Sequence, residues 1–91
     1  MQVTLFTKHR CQLCDALKYE LLDLQAEYGF GFSEHFVDDV QGRSEDEKTH
    51  VPYVVMERSD GSTVRFDFPV KQVELRRAIR VEMGRQVGAG A

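Results

Sequence analysis

The sequence predicts an α/β domain: a mixed four-stranded sheet flanked by helices, in the order β-α-β-(α)-β-β-α. Three observations predict it. A short β-branched and aromatic run, Gln2 to Thr7, is followed within a few residues by a stretch of helical period. In that stretch, from Leu13 to Tyr28, Leu17, Leu21, Leu24 and Tyr28 trace one apolar stripe. Further on, Ser59-Asp60-Gly61-Ser62 joins two strand-like runs, and its Asp-Gly pair suits a tight hairpin connection.

Taken in order, Gln2–Thr7 reads as a buried strand. Leu13–Tyr28 reads as a helix, with Leu13 and Leu22 beside the stripe and Gly29 where a C-terminal cap belongs. Phe30–Val37 is the second strand, anchored by Phe30, Phe32, Phe36 and Val37, with the adjacent Phe36 and Val37 of opposite phase. Asp38 to His50 is polar and acidic; Ser44-Glu45-Asp46-Glu47 fits a capped helix start, and a loop fits as well. Val51–Met56 is a third strand with Pro52 near its start, where a missing donor is tolerated. Thr63–Phe68 alternates as the antiparallel return, and Pro69 breaks it. A last helix runs from Val70 to about Met83, with Leu75, Ala78, Ile79 and Glu82 or Met83 inside and Arg76, Arg77 and Arg80 outside. The crossover helix makes the first two strands parallel, and the hairpin makes the last two antiparallel.

At 91 residues the chain has room for one core. The glycine-rich end predicts a flexible tail over residues 85–91, leaving 1–84 as the domain. A net charge of −3 argues against general nucleic-acid binding, which needs a basic field. No apolar run is long enough to span a bilayer, and Met1-Gln2-Val3-Thr4 lacks the layout of an export signal. The expectation is a cytoplasmic monomer. In a reducing compartment, two close cysteines point to catalysis or metal binding rather than to a structural staple.

Those two cysteines stand in Lys8-His9-Arg10-Cys11-Gln12-Leu13-Cys14-Asp15. The spacing puts both sulfurs in the first turn of the predicted helix, where unpaired N–H groups and the positive dipole end favour an anion. A thiolate there is stabilised relative to one with the ordinary cysteine pKa of about 8.5. Lys8, Arg10 and a protonated His9 act in the same direction. The dithiol falls at the carboxyl end of the first strand, the edge of an open α/β sheet where sites gather.

Strand, Lys-x-x-Cys-x-x-Cys, helix, and a later Val51-Pro52 opening a hairpin resemble the glutaredoxin branch of the thioredoxin fold, over roughly residues 2–83. Cys11-Gln12-Leu13-Cys14 looks like the small glutaredoxin-like proteins of C-x-L-C type rather than the C-P-Y-C form. The resemblance implies thiol–disulfide exchange or deglutathionylation, with Cys11 as nucleophile and Cys14 as resolving thiol. It implies a cis Pro52 lying against the pair, Val51 offering its backbone to an extended substrate, and Lys8 near the thiolate and a glutathione carboxylate. Gln12 and Leu13 complete the candidate substrate-binding set. No bound cofactor or metal is implied; electrons would come from glutathione or a thioredoxin-type reductase, and substrates would be protein or small-molecule disulfides. Two departures bear on glutathione: Gln12 replaces the motif proline, and Asp67-Phe68-Pro69 stands where the family has a Gly-Gly pair.

Other readings stand beside this one. Cys11 and Cys14 with His9, His35 and His50 offer a metal or cluster site, and the chain could be a non-catalytic redox-sensing or adaptor domain. His9 reads either as a thiolate partner or as an exposed loop histidine. Asp15 reads either as a dipole partner or as a proton acceptor for Cys14. Tyr53 lines a thiol groove or is an ordinary strand aromatic.

Overall fold

A computed structural model of the chain describes residues 1–39 and 50–89. Strand β1 (Gln2–Thr7) leads to helix α1 (Gln12–Tyr28), strand β2 (Gly31–Phe36) and a 3-10 turn at Val37–Asp39. After the undescribed stretch come β3 (Tyr53–Glu57), β4 (Thr63–Phe66) and α2 (Gln72–Ala89). The sheet order is β2-β1-β3-β4. As the crossover and the hairpin demand, β1 and β2 are parallel and β3 and β4 antiparallel; β1 and β3 also pair antiparallel. The short helix or loop expected around Ser44–Glu47 lies outside the described residues.

The periodic leucines form the core. Leu17, Leu21 and Leu24 of α1 and Leu75 and Ile79 of α2 pack against Val3, Leu5, Val54 and Met56 of the sheet. Register explains the shared face, since Val3 faces Met56 and Leu5 faces Val54 across the β1/β3 ladder. Each such side chain, fully withdrawn from water, contributes about 1.5–3 kcal/mol. Both helices thus lie on one face. A guanidinium ties them together: Arg76 Nε donates to Glu20 at 2.8 Å. Lys18 pairs with Glu34 at 3.0 Å and ties α1 to the edge strand β2.

A second, smaller apolar cluster joins Cys14, Val37, Val51 and Tyr53, with Phe6, Cys11 and Val55 packed against it. It resolves the phase conflict in β2. Phe30 and Phe32 serve the main cluster, Val37 serves the second, and Phe36 stacks on His9. The apolar residues are out of step because the two ends of the strand pack into different clusters.

Several boundaries differ from the sequence reading, and three of the differences have a clear physical reason. β3 starts at Tyr53, since proline cannot donate to a ladder. β4 ends at Phe66, two residues before its apolar run does, as Asp67 turns back to pair with Arg65. α2 continues to Ala89, past Met83 and into the stretch assigned to a tail. Gly84 alone does not stop it: one glycine costs a helix about 1 kcal/mol, and Arg85, Gln86 and Val87 are ordinary formers. The helix cap at Gly29 is as expected, with φ +78° and its N–H donating to Gln25 O.

A candidate dithiol site at the start of α1

The chain leaves β1 at Thr7 and reaches α1 through Lys8, His9 and Arg10. Arg10 takes the left-handed conformation (φ 55°), uncommon for a residue with a Cβ, and redirects the backbone into the helix. Cys11 is the N-cap, with extended φ −125° and ψ 108°, and its sulfur accepts the Cys14 N–H at 3.2 Å. Its carbonyl accepts Asp15 N–H at 3.0 Å and so opens the helical ladder. Ser, Thr, Asp and Asn are the usual caps; here a sulfur does the same work.

Cys11 and Cys14 are joined as a disulfide, with Cα atoms 5.2 Å apart. The two sulfur-bearing residues differ in environment. Cys11 is half-buried at the surface, whereas Cys14 is 0% exposed within the second cluster. An approaching reagent meets the first and not the second.

Val51 and Pro52 reach the same place from the far side of the sequence. Val51 is buried against Cys14, and the Val51–Pro52 peptide is cis, as the resemblance implies. The Phe68–Pro69 peptide is also cis, which nothing in the sequence reading anticipated. Beside the motif, Leu13, Ala16 and Leu17 of α1 face Pro52, Phe68 and Pro69 across a groove of about 100 Å³. The bulky Phe68-Pro69 pair therefore forms one wall.

The remaining candidates fall as follows. Gln12 is the exposed first residue of α1, and Leu13 is 64% exposed on the groove rim. Lys8 is half-buried in the loop, its carbonyl accepting from Thr7 Oγ1 at 3.4 Å. Asp15 is exposed in the first turn, where a carboxylate complements the dipole. Tyr53 does not line the groove. It stacks on Phe6 (4.5 Å between ring centres), and the Arg65 guanidinium lies 4.0 Å over its ring.

His9 is held more firmly than a loop histidine. Its backbone N–H donates to Asp38 Oδ2 at 3.1 Å and its Nδ1 lies 3.1 Å from Asp38 Oδ1, while its ring stacks on Phe36 at 4.4 Å. A carboxylate only accepts, so the Nδ1 position carries the hydrogen. Partial burial works against charge on Asp38, but the hydrogen bonds from His9 outweigh it and hold the carboxyl below its ordinary value. Sequence reasoning missed this pair because its members are 29 positions apart. Among the described residues, no three His, Cys, Asp or Glu side chains converge as a metal-binding group would require.

Solved structures share this architecture. Thioredoxin 1 from the thermophilic eubacterium Thermosipho africanus superposes with a TM-score of 0.76 at 15% identity, over 94% of this chain and 98% of that one. A structural-genomics target protein from X. campestris superposes with a TM-score of 0.59 at 24% identity, over 87% of this chain and 96% of that one. No family model and no curated protein matches the chain. The chain has the thioredoxin fold. Its Cys-x-x-Cys pair sits where β1 passes into α1, the position from which the glutaredoxin-like resemblance was drawn.

Proposed function

We propose that the protein is a thiol–disulfide oxidoreductase of glutaredoxin-like type. The observation that carries this reading is the asymmetry of the pair: a half-buried sulfur at a helix N-terminus, bonded to a fully buried one. In the reduced protein, Cys11 is the nucleophile. Its thiolate receives the Cys14 N–H and the positive end of α1, which favour the anion. It attacks one sulfur of a substrate disulfide, forms a mixed disulfide and expels the first substrate thiolate. Cys14 then loses its proton and attacks Cys11 Sγ, expelling the second thiolate and restoring the Cys11–Cys14 bond. The substrate gains two electrons and the dithiol loses two. A thiol donor, either glutathione or a thioredoxin-type reductase, returns them.

In this reading Val51 and Pro52 offer the extended backbone on which a substrate lies, and Gln12 and Leu13 border it. Lys8 adds positive potential to the loop before Cys11. The chain works as a monomer on protein or small-molecule disulfides. A reducing compartment such as the cytoplasm suits the cycle.

The test is selective alkylation of the reduced chain with substoichiometric iodoacetamide at pH 7, read by peptide mass. Cys11 should be labelled quickly and Cys14 hardly at all. Intact mass in graded glutathione buffers should show loss and regain of the two thiol hydrogens. Slow labelling of both cysteines, or a pair that never closes, would overturn the reading.

A further inference from the structure

The groove beside the dithiol differs in character from a site for a small charged thiol. Of its lining side chains only Gln72 is polar, and none is charged; the rest, among them Leu13, Pro52, Phe68, Pro69 and Val70, are apolar. Two of the exposed large hydrophobic residues, Leu13 at 64% and Phe68 at 38%, stand on its rim. Exposed apolar side chains gathered at one groove mark a contact surface. Neither cysteine lines the groove, but two of its lining residues are neighbours of the dithiol site. Leu13 lies between the two cysteines in sequence, and Pro52 follows Val51, which is packed against Cys14.

Its size narrows the occupant further. At about 100 Å³ it is well below the roughly 300–1,000 Å³ of sites that enclose a whole small ligand. It is somewhat smaller than the roughly 150 Å³ cavity that admits a benzene ring. That volume suits one aliphatic side chain. A tripeptide such as glutathione is too large for it, and its two carboxylates would find no cation on the lining.

We infer that this groove is a specificity pocket for a polypeptide disulfide, taking an apolar side chain adjacent to the substrate's reactive cysteine. The inference rests on the exchange reading above and adds the substrate class to it. The chemistry is unchanged: Cys11 forms the mixed disulfide, and the neighbouring residue of the substrate is buried between Leu13 and Phe68 while Cys14 resolves. Because one hydrophobic contact commonly discriminates by about 10–200-fold, the preference should be readable directly in rates.

The experiment uses the reduced full-length chain and short blocked peptide disulfides of a common backbone. Leu, Ser or Asp is placed immediately before the cysteine in one series and immediately after it in a second. Glutathione disulfide is measured alongside, all by stopped flow. In one of the two series the Leu peptide should react at least about tenfold faster than the Ser peptide, and faster than glutathione disulfide. Phe68→Ser and, independently, Leu13→Ser should bring the Leu/Ser ratio close to one. Leu13 is largely solvent-exposed, so its variant keeps the fold, which circular dichroism verifies. Equal Leu and Ser rates in both series would overturn the pocket while leaving disulfide exchange intact. So would glutathione disulfide as the fastest substrate. If no disulfide reacts, the exchange reading fails and the pocket falls with it.

Discussion

Reducing the Cys11–Cys14 bond should destabilise the fold by about 2 kcal/mol at pH 5, and by less as the pH rises toward 8. The first figure comes from chain entropy. The cysteines are three positions apart, and cross-linking so short a loop in the unfolded chain removes entropy worth about 2 kcal/mol at 25 °C. The pH dependence comes from the cap. In the folded reduced protein the Cys11 sulfur is placed to receive the Cys14 N–H at a helix N-terminus, and both favour its thiolate over the thiol of the unfolded chain, whose ordinary pKa is about 8.5. The stability that this contributes is present above the unfolded pKa and is lost as pH falls through the folded one. Raising the pH therefore stabilises the reduced fold alone, by about 1.4 kcal/mol for each pKa unit of depression. The other thiol that reduction frees, Cys14, is fully buried, and in the unfolded chain it ionises little below the ordinary thiol pKa of about 8.5; the remaining titrating groups are common to both forms and largely cancel in the difference. Urea unfolding of oxidised and reduced protein, compared at several values from pH 5 to pH 8, measures the gap. A gap that stays constant or widens with pH would refute the capping argument, and with it the reason for assigning Cys11 the attacking role.

Three further outcomes follow from the packing. Leu21→Ala removes a 0%-exposed side chain between the helices and the sheet, and should cost about 3 kcal/mol, seen as a fall in Tm of roughly 12–24 °C. Gly29→Ala forces a Cβ into the left-handed cap, where no atom clashes but φ is +78°; a loss of about 1–2 kcal/mol by urea unfolding is expected, and Gly29→Asn should recover part of it. Asp38, held below the ordinary 3.8, anchors the loop before Cys11; that contribution is full above pH 3.8 and is lost as pH falls through the lower folded value. Hydrogen exchange at the His9 amide should speed up in Asp38→Ala at pH 6, while Asp38→Asn, which keeps an acceptor, should protect it better.

The local features were legible in the sequence. The leucine stripe, the Gly29 cap, the Asp60-Gly61 hairpin and the strand–motif–helix junction are all written in neighbouring residues. The expectation of a cis Pro52 came from resemblance, not from the residues themselves. What stayed hidden depends on contacts between distant positions. The phases of β2 could not be read because Phe32 and Val37 pack into different clusters. The His9–Asp38 pair joins two loops that only the parallel β1/β2 ladder brings together. Phe68 and Pro69 read as a departure from a glycine pair; that they build a wall facing Leu13 depends on where β4 and α2 place them.

The strand that leads into the dithiol is interior to the sheet, hydrogen-bonded to β2 on one side and β3 on the other. It cannot slide by a residue without unzipping two ladders and reversing the burial of Val3 and Leu5. Such a strand belongs with the last cooperative unit to open, and the sulfur pair follows it after a loop of only three residues, Lys8 to Arg10. In the proposed exchange cycle, opening and closing the Cys11–Cys14 bond then requires little reorganisation of the sheet. The β1 amides should be among the slowest to exchange with solvent, in the oxidised and reduced states alike.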